Sequence, residues 1–473
     1  MSALTRLLMG AILLLFVAAI AAAQTGAAVT GVVTDTSGAV LPGVTVEAKS
    51  PALIEQLRSA VTDEGGRYRI VDLRPGTYTV TFTLPGFTTI TRDGIELSGT
   101  FIATVNADLR VGSLQETVTV TGETPVVDTQ STKTQETLQN ELIGSIPTGR
   151  QYYSLTTLVP ALNVQGNDVG GIQGPIFSVF QAHAGRRNEG QVHVEGLSMG
   201  YQGMGVSFYV PDVGTAQEVN FTILGGMGEA TTGGPVMNVM PKVGGNEFHG
   251  TFFANGSGAA LQGGNYTKSL QAAGLRAPNK LQKLWDVNGA FGGPIKKDRL
   301  WFYWTARHQG NRKYVSLWRN KNAGDVTNWT YDPDYSHQAL DDGTWKNTSL
   351  RLTWQASLRN KVNLWWDEQS ACQHCNEGGD TSNVAQPLTP EASGRVEGHP
   401  QQMGQITWYF TPTSRLALDS GYGWGPRIQF GGHDRPDNNH ALIRVQEQGG
   451  IIPGLVYRAP LGFGGGGNYW SRP

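Results

Sequence analysis

From residue 246 onward the chain is written in short stretches of period-two alternation, and this pattern limits the possible folds more than any other feature. Trp285, Val287, Gly289 and Phe291 alternate with Asp286, Asn288 and Ala290. Leu350, Leu352 and Trp354 alternate with Arg351, Thr353 and Gln355, and Val362, Leu364 and Trp366 with Lys361, Asn363 and Asp367. Ile406, Trp408 and Phe410 alternate with Gln405, Thr407 and Tyr409. With the stretches 246–253, 300–308 and 416–422 this makes seven strand-like segments. Successive side chains of a strand point to opposite faces, so each segment presents one apolar and one polar face. The links alternate in length: 257–283, 293–299, 310–344, 357–360, 370–401 and 412–414. Strands of roughly 9–11 residues cross a bilayer when tilted, and a bilayer-spanning barrel has long loops on one side and short turns on the other. All 12 tryptophans lie between Trp285 and Trp470, as an aromatic girdle at the membrane interfaces would require.

The N-terminal end reads as an export signal. Arg6 precedes an apolar run over 7–20, followed by Ala21-Ala22-Ala23 ahead of Gln24. This is the order of a signal peptide, assigned to residues 1–23, and the run is shorter than the ~20 residues of a spanning helix. Charged residues make up 16% of the chain and the formal net charge is −2, which excludes the basic footprint of a nucleic-acid binder. Over residues 28–110 short β-branched runs are separated by turns at Asp35-Thr36-Ser37-Gly38, Pro42-Gly43, Glu64-Gly65-Gly66 and Arg74-Pro75-Gly76. Such spacing predicts a β-sandwich. The run G-V-V-T-D-x-x-G-x-x-L-P-G-V-x-V, with T-D-x-x-G-x-Y and L-x-P-G-x-Y-x-V after it, resembles the carboxypeptidase regulatory-like family. That resemblance implies an Ig- or transthyretin-like sandwich and carries no peptidase activity with it.

Residues 111–122 form a connector holding Glu116, Thr117, Val118, Thr119, Val120, Thr121 and Gly122. This β-branched run has two readings: the last strand of the sandwich, or a docking strand that adds to the edge of a partner's sheet. It resembles the TonB box of TonB-dependent outer-membrane receptors. The resemblance implies TonB and its inner-membrane energising complex as partners. Residues 123–245 lack Trp and predict an α+β domain, with short helices over 140–147 and 152–160 and strands over 217–221 and 233–240. Its order resembles the plug of Oar-like TonB-dependent receptors. The residues that carry the likeness are Ile146-Pro147-Thr148-Gly149-Arg150, Gly185-Arg186-Arg187-Asn188, Gln217-Glu218-Val219 and the stretch 233–239. Glu195-Gly196 stands where the family has Asp-Gly, and Pro241 where it has a β-former. Arg186, Arg187 and Glu195 are the expected plug charge contacts, to the barrel wall or the plug backbone. The stretches 246–250 and 291–302 match the family's barrel motifs.

The whole chain is therefore expected to be mainly β: a sandwich, an α+β plug, and the N-terminal part of a transmembrane antiparallel barrel over 246–473. The resemblance implies a 22-strand closure, while seven strands follow residue 245 and 464–473 read as a loop-like tail. A truncated barrel, the fragment of a longer receptor, is the expectation. The sequence has no H-E-x-x-H or phosphate-binding loop, and no catalytic residue, enzyme activity or cofactor is expected. His374 and Glu377 have a zinc-like spacing, but no third ligand follows them, and no metal is expected. Cys372 and Cys375 fall in the third long link, predicted extracellular. In an oxidising compartment a local disulfide is expected, with a metal site using both thiolates and His374 as the alternative. The functional expectation is an outer-membrane receptor, surrounded by lipid, for TonB-energised uptake of an extracellular substrate such as a siderophore, oligosaccharide or peptide. The alternative is a surface-binding or adhesion protein whose sandwich binds carbohydrate or peptide.

Overall fold

The computed structural model describes residues 27–460 except 54–56, 98–100, 113–116, 122–133, 147–148, 165–179, 184, 187–188, 200–208, 225–232, 358, 380–385, 414–415, 426–429, 434, 436–437 and 450–451. Residues 1–23, expected to be a signal peptide, and the glycine-rich tail lie outside the described residues.

Strands β1 (Ala27–Asp35), β2 (Thr45–Lys49), β3 (Leu57–Val61), β4 (Arg67–Leu73), β5 (Gly76–Thr83), β6 (Thr89–Leu97), β7 (Ile102–Thr104), β8 (Ala107–Leu109) and β9 (Thr117–Thr121) build a two-sheet sandwich. One sheet runs β4-β1-β7, with β8 also on β1, and the other runs β3-β2-β5-β6-β9. The facing rows of Val29, Val33, Val46, Tyr68, Ile70, Val80 and Phe82 fill the space between them. Tyr68 meets Phe82 edge-on and donates its hydroxyl to the Val105 carbonyl at 2.7 Å, so its one buried polar atom is satisfied. Gly31 is required here: a Cβ on it would lie 2.0 Å from the Val105 oxygen.

The middle domain is built on a five-stranded sheet of order β10-β15-β16-β13-β14. Its elements are β10 (Thr134–Gln139), α1 (Asn140–Ser145), α2 (Tyr152–Leu155), β11 (Leu162–Val164), β12 (Phe180–Ala182), β13 (Gln191–Val194), β14 (Leu197–Ser198), β15 (Ala216–Leu224) and β16 (Val236–Pro241). Pro241 closes β16 opposite Ala216, at the end of the ladder, where a missing N–H is least disruptive. The core of this domain does not stop at its own boundary. Tyr152, Phe180, Phe221 and Met237 pack in one cluster with Trp345, Trp365 and Met403 of the third domain.

That third domain is an antiparallel sheet of β17 (His249–Gly258), β18 (Lys280–Lys296), β19 (Leu300–Asn320), β20 (Pro333–Ser357), β21 (Asn360–Gly378), β22 (Arg395–Thr413) and β23 (Leu416–Trp424), each paired with the next. Its faces are inverted relative to a soluble sheet. Asp286, Asn288, Arg307, Asn347, Arg351, Asn363 and Asp367 are buried on the inner face. Phe252, Val287, Phe291, Trp304, Trp354, Ile406, Trp408 and Tyr422 are exposed on the outer one. A bilayer-facing barrel wall distributes its residues in this way.

The seven segments expected from alternation are present, but the strands are longer than their alternating parts. Pairing of β19 with β20 continues to Asn320 opposite Pro333, well inside the stretch 310–344 expected to be a loop. Likewise β21 runs to Gly378 and β22 starts at Arg395, so Cys372 and Cys375 lie within a strand and not in a loop. Beyond the bilayer both faces of a strand can be wet, so the apolar alternation ends before the hydrogen-bonded ladder does. The links 259–279, 297–299, 321–332, 358–359, 379–394 and 414–415 keep the long-short order. A late segment, unexpected from sequence, packs at the long-link end. There β24 (Phe430–His433) pairs with β22, and β25 (Val445–Gln446) pairs with β26 (Val456–Tyr457).

Val287→Arg puts a charge on the outer face. It is expected to cost about 2–4 kcal/mol if the site sits at mid-bilayer. Reversible denaturant unfolding from lipid vesicles measures this, and an unchanged midpoint would mean that Val287 does not face lipid.

Candidate functional site: the plug–wall junction

Polar contacts placed by strand register tie the middle domain to the inner face of the wall. The first centres on Arg307 of β19. Asn288 lies directly opposite Arg307 on β18, and Asp286 opposite Gln309, so all four share the inner face. The Arg307 guanidinium donates from Nε to Asp286 Oδ1 at 2.9 Å and from Nη2 to Asp286 Oδ2 at 2.7 Å. Its Nη1 donates to Asp212 Oδ1 of the middle domain at 2.8 Å and to the Arg150 carbonyl at 3.1 Å. Arg307 thus joins a carboxylate of the wall to one of the plug. This fork geometry is a bidentate pairing that lysine could not reproduce.

Asp212 is held from both sides. It caps the short turn Val213–Thr215, accepting from the Gly214 N–H at 3.1 Å and the Thr215 hydroxyl at 3.0 Å. Asn288 donates at 2.9 Å to Oδ2, the oxygen that Thr215 also uses. The same carboxylate therefore shapes a plug turn and fastens it to two wall strands.

The second contact is Gln369 of β21. Its Oε1 accepts from the Val210 N–H and from Trp345 Nε1, both at 2.9 Å. The third is the buried pair of Arg351 and Glu195, with Gln405 donating to the Glu195 carbonyl at 3.4 Å. Glu195 and Gly196 form the two-residue turn between β13 and β14, with φ of 49° and 80°. Both values lie in the left-handed region, where Gly, Asn and Asp are the usual occupants. Glutamate has no such preference, but its longer side chain reaches Arg351. Here a wall contact accounts for a locally unfavourable residue.

Within the plug, His193 is buried beside Gln191, with Nε2 3.0 Å from its Oε1. Burial lowers its pKa from 6.5 to about 4, so the ring is neutral in the folded state.

Of the residues expected to make plug charge contacts, Glu195 reaches the wall. Arg186 is exposed and does not: its backbone N–H faces Glu189 Oε2 at 3.4 Å. Arg187 lies outside the described residues. Asp212, Asp286, Arg307 and Gln369 were not singled out from sequence. The alternation did place Asp286 on the polar face of its strand, but a polar face alone does not say which residue meets the plug. Of the connector, Thr117–Thr121 are β9, running parallel to β6 from Thr89↔Thr117 to Asp93↔Thr121. Glu116 and Gly122 lie outside the described residues. Cys372 and Cys375 are joined, with Cα atoms 5.7 Å apart. They close a bulge where the register passes from Gly343↔Gln373 to Asp341↔Gly378. His374 in that bulge has its Nδ1 2.9 Å from Asp341 Oδ1. The side chain of Glu377 is not described, and no group of three metal-type ligands occurs among the described residues.

Residues 28–110 match the carboxypeptidase regulatory-like domain model. Over 271 residues the chain is 34% identical to the TonB-dependent transporter Oar of Myxococcus xanthus, covering 55% of this chain and 24% of that protein. Over that stretch the chain is similar to Oar. It spans about a quarter of the length of that relative. Among solved structures, the outer membrane transporter YddB from Escherichia coli covers 61% of this chain at 11% identity, with a TM-score of 0.42 and 38% of its own length covered. The siderophore receptor PirA from Acinetobacter baumannii covers 65% at 16% identity, with a TM-score of 0.37 and 45% of its own length covered.

Arg307→Ala leaves Asp212 and Asp286 buried without their cation, an expected loss of about 3–5 kcal/mol at the junction. Amide exchange across 209–216 should rise while that of the sandwich stays constant. Equal protection in both proteins would show that Arg307 does not hold the plug. His193 gives a second test. A lowered folded pKa means that its contribution is intact above 6.5 and is lost as pH falls toward about 4. Plug amides should lose protection over that window, and His193→Gln should flatten the dependence.

Proposed function

We propose that this chain acts in energised uptake across the outer membrane, as a TonB-dependent transporter. The observation that carries the reading is the plug fastened by buried polar contacts to the inner face of a wall whose outer face is apolar. A plug held by hydrogen bonds and ion pairs can be released from a polar lumen without exposing apolar core to lipid. In this reading the junction at Asp212, Arg307 and Asp286 is the load that a pull must overcome. The strand Thr117–Thr121 is where TonB takes hold, with the proton gradient of the inner membrane as the energy source. The substrate binds at the long-link end of the wall, and its class is a siderophore, oligosaccharide or peptide. Similarity to Oar over 271 residues supports the reading.

Deleting residues 117–121 is expected to abolish accumulation of the substrate while the protein still reaches the outer membrane. The measurement is a screen of labelled siderophores, oligosaccharides and peptides in cells carrying either form, with and without an uncoupler. Accumulation that survives both the deletion and the uncoupler would sink the transporter reading. Surface binding that persists with no accumulation by either form would favour a receptor for adhesion.

A further inference from the structure

A cavity of about 60 Å³ lies where the three domains meet, at the short-link end of the wall. Each domain lines it. The sandwich contributes Arg74, in the turn between β4 and β5, and the plug contributes Glu195. The wall contributes Arg351, Lys361, Asn363 and Tyr409. Strand register brings the wall residues together. Lys361 lies opposite Tyr409, and Asn363 opposite Thr353, which shares its face of β20 with Arg351. The turn that carries Arg74 is fixed from within the sandwich. The Tyr78 hydroxyl accepts from the Arg74 N–H at 2.9 Å and donates to the Arg74 carbonyl at 2.7 Å.

The lining is unbalanced in charge. Arg74, Arg351 and Lys361 are three cations against the one carboxylate of Glu195, an excess of two positive charges among the lining residues. Glu195 is already paired with Arg351. Arg351 and Lys361 are 7% and 4% exposed, so bulk water screens little of that excess. Two of the lining side chains are also incompletely bonded: Arg351 Nε and Asn363 Oδ1 have no hydrogen-bond partner among the described residues. One lacks an acceptor and the other a donor, and buried polar groups rarely stay so.

We propose that this cavity binds a phosphate group, and that the bound group joins the sandwich to the plug and the wall. A water needs about 10–15 Å³ of such space, so the cavity has room for about four waters or for one tetrahedral ion of five heavy atoms. A phosphate group carries about −1.5 to −2 charges at neutral pH, which offsets the excess, whereas a carboxylate offsets about half of it. Guanidinium groups meet its oxygens in a fork, and its protonated oxygen can donate to an amide oxygen such as that of Asn363. Neither the cavity nor its charge depends on the chain's being a transporter.

The full chain, in detergent and a phosphate-free buffer, is titrated with inorganic phosphate, glycerol 3-phosphate and acetate by calorimetry. The expected result is saturable binding of one phosphate per chain, with acetate weaker by about tenfold or more, as the loss of a charge-assisted contact implies. Glycerol 3-phosphate bound as tightly as the free ion would identify the phosphate end of a larger molecule as the ligand, and its refusal would identify the free ion. Arg74→Gln and Lys361→Gln should each weaken phosphate about tenfold, while Arg74→Lys retains most of the affinity. No saturable binding at millimolar phosphate, acetate as tight as phosphate, or full affinity in both glutamine variants would overturn the proposal. Amide exchange on the unmodified chain decides the matter if a variant fails to fold. Phosphate should slow exchange over 73–78 and leave the turn at 35–38 unchanged, and equal exchange over 73–78 with and without phosphate would overturn the placement.

Discussion

A sheet that turns its apolar side outward must do something with its polar side. This constraint organises the molecule. Asp286, Asn288, Arg307, Asn347, Arg351, Asn363 and Asp367 line one face of the wall and are buried. Buried ionic and amide groups are tolerable only when paired, since each unpaired one carries a desolvation cost of several kcal/mol. The plug supplies partners: Asp212 for Arg307, Glu195 for Arg351, and the Val210 backbone for Gln369. Wall and plug therefore complete one another. Trp345, Trp365 and Met403 add an apolar contact to the same seam, which keeps it from being purely electrostatic.

The junction's charge arrangement has a mechanical side. In the two buried ion pairs that cross the junction the cations, Arg307 and Arg351, sit on the wall and the anions, Asp212 and Glu195, on the plug, while Asp286 stays with Arg307 on the wall. If the plug withdraws, Arg307 keeps one carboxylate and is not left alone in the lumen. Asp212 keeps its hydrogen bonds from Gly214 and Thr215 and leaves as part of a formed turn. Each side retains part of its pairing, so separation costs less than breaking an isolated buried pair.

Much of this architecture was legible in the sequence, for reasons that can be stated. The sandwich was visible because its turns carry glycine, proline and aspartate at fixed places and its strands bury alternate residues. The wall strands were visible within the bilayer because lipid enforces alternation there. Their extensions past 310 and 370 were hidden because water on both faces removes the signal while leaving the ladder intact. The site was less legible. Glu195 stood out because it replaces a residue suited to its turn. Asp212 and Arg307 did not, because their partnership joins residues 95 apart through the register of another strand pair. The connector left two readings open, a sandwich strand or a docking strand. β9, paired with β6, is a strand of the sandwich.

The far end of the wall carries a consequence for how the chain assembles. Arg458 is buried over the ring of Trp329, 4.8 Å from its centre, and donates to the carbonyls of Asp325 and Val326 at 2.8 Å each. Tyr457 donates to the Trp329 carbonyl at 2.9 Å. These contacts close a loop of 128 to 133 residues that includes β20 to β24. Contacts of such high separation carry a large loop-closure cost, which falls once the intervening strands have paired. The tip of the β19–β20 hairpin thus stays open during insertion and is sealed by a segment that arrives afterwards. The order of the chain becomes a timetable, in which the outward face is finished only once the strands between have been laid down.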